Sequence, residues 1–428
     1  MKIKYFVPAA AFVLSLAVFA LGATREDLAR DAAAENPVVA AEAVRSLRLM
    51  GREGLDILFV KYGAEIKQYR ETGNATDNWA RVAAAIDTVA MQRDAYASNL
   101  YWHVDLDRAK IESQKTGKPI LTLRLLGNLN EEFSCANSRL FRSILYSNSD
   151  VSKYLSENYV LHWKSVRPAP KVTIDFGDGR KIERTITGNS IHYVINARGQ
   201  IVDALPGMYS PQAFLEFLTG AKAAFDAPAQ PRITAKGQYA TFRKKTYERL
   251  AAERAKDLEA LKIALIEPKA PAAAIPTAAE AAPIAVAKMI VTSEISILDA
   301  INDDFAKYRP QIDFDDWKKL SALHAANAKI DAAGLAFIKR QTKGTVSDEQ
   351  FGGLVKNIEQ FVALDTTMND YVYRTKIYGI LSENGADNLE RLNERIYSAV
   401  FLTPRSDEWL GLYSPDVYTA LDGNGIIR

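Results

Sequence analysis

The chain has few of the residues that redox and metal sites require. Its 428 residues include one cysteine, Cys135, so no internal disulfide bond can form. It has four histidines, which are dispersed: His103, His162, His192 and His324. One cysteine with scattered histidines does not have the spacing of a zinc site. The sequence also contains no phosphate-binding glycine loop and no HExxH motif. It therefore predicts neither a metal nor a cofactor.

An excess of either charge is also absent. Lysine and arginine total 54 and aspartate and glutamate 52, for a formal net charge of +2. Nucleic-acid binding needs a concentrated basic surface, so we expect no nucleic-acid partner. Apolar residues make up 48% of the chain and charged residues 25%, a balance typical of globular domains. The length is enough for two or three domains.

The N-terminus holds the one long apolar run in the sequence. Lys2 and Lys4 precede apolar residues from Tyr5 to Leu21, and small residues follow. This order is typical of a signal peptide, here residues 1–23, and predicts an exported protein of the periplasm or cell envelope. The alternative is an uncleaved anchor, because the run approaches the ~20 residues of a spanning helix. Membrane contact is expected through this segment or not at all.

Segments on both sides of the centre have helical patterns. Residues 24–98 carry apolar residues at helical spacing on either side of Gly51, which predicts a helical hairpin. Residues 229–266 are charged, with irregular apolar spacing, and predict a solvated connecting helix. Residues 267–289 are rich in alanine and proline and predict an extended linker. From residue 290 to residue 428 the pattern predicts an all-α bundle.

Residues 99–228 interleave strand and helix patterns instead. Asp105 can cap a helix that Gly117 ends, and Ser210 can cap the closing helix. The predicted strands are Pro119–Leu126, Tyr159–Trp163, Lys171–Phe176, Lys181–Thr187, Ile191–Ile195 and Gln200–Leu205. Interleaved strands and helices predict an α/β sandwich with a mixed sheet.

One stretch in this region carries a resemblance to a known family. It reads EEFSCANSRLFRSILYSNSDVSKYLSENYVLHW and follows GKPILTL. Exported thioredoxin-like proteins have a strand ending in Trp-Cys-x-x-Cys, a helix, a second capped helix and the next strand. Residues 100–225 resemble this superfamily, with Cys135 at the first cysteine position and Ser138 at the second. The resemblance implies a thioredoxin-like sandwich with Cys135 and Ser138 as candidate catalytic residues.

Three departures from the family pattern affect the implied site. Ser134 stands where the family has tryptophan, and Ser138 replaces the resolving cysteine. Ser190 occupies the position of the cis-proline that shapes the substrate groove. A cis bond before a residue other than proline is very rare, so a trans peptide is expected between Asn189 and Ser190. Ser134, Asn189 and Ser190 would then line an altered groove.

Two functions follow from this pattern. A thiol at a helix N-terminus favours the thiolate, which attacks disulfides. Cys135 would then act as a single-cysteine thiol–disulfide exchange residue, and the enzyme class would be a thiol–disulfide oxidoreductase. The three departures favour the other function, a non-catalytic binding or scaffolding module whose partners are other envelope proteins.

Overall fold

The structure is a computed structural model that describes residues 24–185, 188–263, 314–342, 344, 346–383, 388–401, 405, 420, 421 and 426. It divides into two compact units, Met1–Tyr101 and Trp102–Arg428. The predicted signal peptide, 1–23, and the predicted linker, 267–289, lie outside the described residues. Within the described ranges, no helix has the length and apolarity needed to cross a membrane.

The first unit is helical, but it is more than the predicted hairpin. Its helices are α1 (Arg25–Ala32), α2 (Pro37–Leu49), α3 (Arg52–Lys61), α4 (Gly63–Thr72) and α5 (Trp79–Ala90). Gly51, with φ at +71°, turns the chain between α2 and α3 as its position suggested. The segment after Gly51 forms two helices, because the chain departs from helical geometry at Tyr62. The hairpin prediction was therefore wrong in helix number.

The helices of the first unit bury a continuous apolar core. Leu47, Leu55 and Ile86 have no exposed surface. The Asp87 carboxylate lies beside this core and accepts a hydrogen bond from the Ala95 N–H at 2.8 Å. Burial, and next the nearby charge of Asp94, raise the pKa of Asp87 to about 7.

The second unit is built on a mixed five-stranded sheet. Its strands are β1 (Trp102–His103), β2 (Ile120–Leu126), β3 (Val160–Arg167), β6 (Ser190–Ile195) and β7 (Ile201–Pro206), in the order β1-β3-β2-β6-β7. Strand β3 runs parallel to β1 and β2, whereas β6 is antiparallel to both β2 and β7. The α/β class with a mixed sheet is confirmed.

Three helices that pack around this sheet begin at residues the sequence predicted as helix starts, Asp105, Cys135 and Ser210. The helices of this region are α6 (Leu106–Thr116), α7 (Ala136–Leu140), α8 (Ser149–Asn158) and α9 (Pro211–Asp226). Asp105 caps α6 by accepting the Asp107 N–H at 2.8 Å, and left-handed Gly117 ends it. A π-helical turn, Phe141–Leu145, follows α7. The hairpin of β4 (Lys171–Asp175) and β5 (Lys181–Thr185) forms a separate two-stranded sheet.

The helix predicted over 229–266 is present as α10 (Ala235–Leu261), but it is not solvated all round. One face buries Tyr239, Arg243, Thr246 and Leu250. These residues follow one another at helical spacing and form one face, but two of them are polar, so apolar periodicity does not show that face. Arg243 donates to the Ile201 carbonyl at 2.7 Å and thereby fixes α10 on β7.

The C-terminal part is helical as predicted. Its described helices are α11 (Phe314–Ala322), α12 (Ala332–Thr342), α13 (Asp348–Met368), α14 (Arg374–Ser382) and α15 (Leu389–Ala399). A π-helical turn, Asn369–Tyr373, joins α13 to α14. Residues 290–313 of the predicted bundle lie outside the described residues.

These helices pack on the sheet of the second unit. The Met208 N–H, just after β7, donates to the Asp365 carboxylate of α13 at 2.9 Å. Arg374 of α14 forms an ion pair with Asp203 of β7 at 2.8 Å, and both side chains are almost fully buried. The sheet and the described C-terminal helices thus share one interior.

Candidate functional site

The candidate thiol lies at the start of α7, where the sequence predicted a helix to begin. Cys135 is the N-cap residue, with extended backbone angles of −56° and 155°. Its N–H donates to the Leu126 carbonyl at 3.1 Å, which places the thiol beside the end of β2. Its carbonyl accepts the Arg139 N–H at 3.2 Å and opens the helix.

The structure brings the predicted site residues together in a cluster at the start of α7 and the start of β6. The Ser138 hydroxyl donates to Ser134 Oγ at 2.6 Å and lies 2.8 Å from the Cys135 carbonyl. Asn137, two residues after Cys135, donates to Ser190 Oγ at 3.0 Å and so ties α7 to β6. No described peptide bond is cis, so the expected trans peptide between Asn189 and Ser190 is confirmed.

Burial decides the chemistry of this cluster. Cys135, Ser134, Ser138 and Ser190 have no exposed surface, and Asn189 is 2% exposed. Burial raises the pKa of the Cys135 thiol, although a hydrogen bond from Ser138 acts in the opposite direction. A helix terminus stabilises a charge by only about 0.3–1 kcal/mol, less than the cost of removing a thiolate from water. The thiol is therefore protonated at neutral pH and has no access to solvent.

Helix α15 covers the strand side of the cluster. The Tyr397 hydroxyl donates to the Asn189 carbonyl at 3.2 Å, and Tyr397 is fully buried. Burial raises the pKa of Tyr397, and next in effect is the nearby Cys135. The Tyr397 and Phe401 rings meet edge to face with centroids 5.0 Å apart. The carbonyl of a predicted groove residue is thus already bonded within the chain.

A buried arginine fixes α15 on the sheet. Arg124, in the middle of β2, is 1% exposed and donates to Glu390 at 2.8 Å. Lys164 pairs with the second oxygen of Glu390 at 2.9 Å. Farther along α15, Asn393 accepts a hydrogen bond from the Tyr193 hydroxyl at 3.1 Å. Arg124 was not predicted as a site residue, yet a signal was present, because it is the one charged residue in the β2 sequence ILTLRLL.

The two strand histidines are neutral groups of the interior. Burial, and next the charge of Arg124, lower the pKa of His162 to about 3. Burial alone lowers the pKa of His192 to about 3. His162 lies 2.7 Å from the Thr122 hydroxyl, and His192 lies 2.7 Å from the Tyr146 hydroxyl. Within the described ranges, no three His, Cys, Asp or Glu side chains are grouped as a metal site would require.

The Glu390→Gln variant is expected to lower the free energy of unfolding by about 1–3 kcal/mol. It leaves Arg124 buried without its carboxylate, although the half-exposed position of Glu390 reduces the cost through solvent screening. Urea unfolding at pH 7 measures the effect. The control is Glu383→Gln, which breaks an exposed pair with Arg395. Equal losses in the two variants would contradict a special role for Arg124.

Comparisons of the chain with protein-family models, with curated proteins and with solved structures find no match. The functional interpretation therefore depends on the geometry of the cluster around Cys135.

Proposed function

We propose that residues 99–228 form a thioredoxin-like domain whose thiol position has become part of the interior. The chain would then act as a non-catalytic binding or scaffolding protein of the cell envelope. The mixed five-stranded sheet and the helix that begins at Cys135 support the fold part of the proposal. Export is proposed from the apolar pattern of residues 1–23.

The observation that carries the proposal is the complete burial of Cys135. Attack on a disulfide requires a thiolate and a path for the partner sulfur. Burial disfavours the thiolate, and α15 occupies the side from which the Asn189 carbonyl would meet a partner chain. The alternative, thiol exchange through Cys135, would require the C-terminal helices to leave the sheet.

The polar groups that could bind an extended partner are already hydrogen-bonded within the chain, which supports the same interpretation. Ser190 Oγ is bonded to Asn137, and the Ser190 carbonyl accepts the Gly207 N–H at 2.8 Å. The Asn189 carbonyl is bonded to Tyr397 at 3.2 Å. With these groups bonded inside the chain, partners would meet the outer surface of the domain and not a groove beside the thiol.

Alkylation tests the proposal directly. We expect iodoacetamide to label Cys135 in the native full-length protein at least about 100-fold more slowly than in denaturant, because labelling requires local or global opening. The labelling rate is measured by mass spectrometry between pH 6 and 9. At pH 6 a buried thiol with a raised pKa should not react in the native protein. A thiol with a lowered pKa would still be partly thiolate at that pH and would react.

A matched control shows whether slow labelling is caused by the burial of Cys135 or by a slow reagent. In a Cys135→Ser background, Ser156→Cys places a thiol on the exposed surface of α8, and it should label at the free-thiol rate. Rapid native labelling of Cys135 with an apparent pKa well below ~8.5 would overturn the proposal and favour thiol exchange.

A further inference from the structure

A cavity of about 610 Å³ lies in the second unit, away from the cluster around Cys135. Helices α9 and α10 contribute Phe217 and Phe242 to its walls, and the π-helical turn Asn369–Tyr373 contributes Asp370. Its volume is within the range of small-molecule sites, which are lined by apolar groups with a few placed polar ones. π-Helical turns are also frequent at functional sites.

The charge of the lining is predominantly negative. Its carboxylates belong to Asp203, Glu216, Glu253 and Asp370, and its guanidinium groups to Arg249 and Arg374. Four carboxylates thus face two guanidinium groups and the His324 imidazole, which lies 2.6 Å from Asp257. Arg374 pairs with both Asp203 and Asp370, and Arg249 pairs with Glu253 at 2.7 Å. Such a lining favours a cation and repels an anion.

Asp370 presents an acceptor to this space. Tyr209 and Arg374 both donate to Asp370 Oδ1, at 3.0 and 3.2 Å. Its Oδ2 accepts no hydrogen bond from the part of the chain that the structure describes, while the side chain is 19% exposed. Burial raises the pKa of Asp370, and next Arg374 opposes that effect. A donor that reaches Oδ2 would complete the hydrogen bonding of this carboxylate.

Two aromatic side chains also line the cavity: Phe217, which is 4% exposed, and Phe242 of α10. The Arg374 guanidinium lies over the Phe217 ring, 5.5 Å from its centroid, so that face already holds a cation. The aromatic lining can therefore cover an alkyl chain, while the ammonium group of the same ligand reaches Asp370.

We propose that this cavity binds a small organic cation, an alkylamine or alkyldiamine. Its ammonium group donates to Asp370 Oδ2, and its chain lies against Phe217 and Phe242. Glu216, exposed at the rim, adds attraction without direct contact. The proposal does not depend on the fate of Cys135.

Isothermal titration of the full chain with 1,4-diaminobutane tests the inference. 1,4-Butanediol and succinate serve as neutral and anionic probes of the same chain length. We expect the diamine to bind about tenfold more tightly than the diol, since a hydrogen bond to a charged group is worth about 1.5–3 kcal/mol. Succinate should not bind. Equal affinity for the diamine and the diol would overturn the proposal. So would the absence of diamine binding at ~10 mM, a concentration at which even a weak specific site would be partly filled.

Two variants locate the ammonium group. Asp370→Asn should weaken diamine binding about tenfold, and Glu157→Gln, the same charge change on α8 outside the cavity, should leave it unchanged. Should Asp370→Asn fail to fold, the rim variant Glu216→Gln decides, with an expected loss of about threefold from long-range attraction. Unchanged diamine binding in Asp370→Asn, or in Glu216→Gln if Asp370→Asn does not fold, would contradict the inference.

Discussion

Replacing Arg374 with methionine is expected to lower the free energy of unfolding by about 3–5 kcal/mol. Arg374 is 6% exposed and Asp203 is fully buried, with 2.8 Å between the guanidinium and the carboxylate. Arg374 also donates to the Tyr378 hydroxyl at 2.8 Å. Removing the guanidinium leaves the Asp203 charge in the interior without a compensating cation, and Asp370 loses the same partner.

The charged state of Arg374 is essential to this prediction. Burial alone would lower its pKa, but the Tyr378 phenol and the carboxylates of Asp203 and Asp370 keep that pKa above its usual value. Arg374 therefore stays protonated throughout the accessible pH range. The pair is fixed at both ends by further bonds, since Tyr378 also donates to Asp203 at 2.8 Å.

Urea unfolding of the full chain at pH 7 measures the loss. Arg395→Met is the matched control, because Arg395 and its partner Glu383 are about half exposed and such pairs contribute about 0–1 kcal/mol. Adding Asp203→Asn to Arg374→Met should recover part of the stability, since the unpaired charge is then gone. A loss for Arg374→Met no greater than that for Arg395→Met would show that the buried pair does not stabilise the fold.

The stability of the first unit is expected to fall by about 4 kcal/mol as the pH rises from about 4 to about 7. The pKa of Asp87 is raised to about 7 in the folded state by burial and by Asp94, against 3.8 for an ordinary aspartate. In this window the unfolded chain has lost the proton that the folded chain keeps, so stability decreases with pH. Three pKa units at about 1.4 kcal/mol each give the magnitude.

The Asp87→Asn variant should remove most of this dependence. An amide at this position stays neutral and can still accept the Ala95 N–H, as the protonated acid does. We expect the variant to match the parent near pH 4 and to exceed it at pH 7, by up to about 4 kcal/mol. Hydrogen exchange of peptides from α5 in the full chain, measured in urea and corrected for intrinsic rates, reports the stability of this unit.

Asp56→Asn provides the control for this pH effect. Asp56 is half exposed and pairs with Arg52 at 2.7 Å, so its replacement should change stability by about 1 kcal/mol or less at either pH. If the free energy of unfolding of Asp87→Asn differed from that of the parent by the same amount at pH 4 and at pH 7, the assigned titration of Asp87 would be contradicted.

Local signals in the sequence predicted much of the second unit correctly. Asp105 and Gly117 delimit α6, and Ser210 caps α9, because caps depend on residues close in sequence. The start of α7 at Cys135 was also predicted. By contrast, the face of α10 was missed, since Arg243 and Thr246 are buried through hydrogen bonds and not through hydrophobicity.

The sequence could also place the candidate site residues but not their surroundings. Ser134, Cys135 and Ser138 share one helix start, which local pattern indicates. Their burial depends on the sheet and on the helices around it, and α15 is far away in the sequence. From the sequence, Arg124 could be identified only as a charged residue within a strand. Its partner Glu390 could not be predicted, because it is far from Arg124 in the sequence.

The sequence by itself determined the order of strands β2 to β7, the helix starts at Asp105 and Ser210, and the position of a lone thiol at a helix start; it did not predict strand β1 (Trp102–His103). The tertiary structure decided that this thiol is buried and protonated and that His162 and His192 are neutral. It also decided that Asp203 forms an ion pair with Arg374. The physical reason is that protonation and access depend on desolvation and nearby charges. Segments distant in the sequence supply these effects when they pack together.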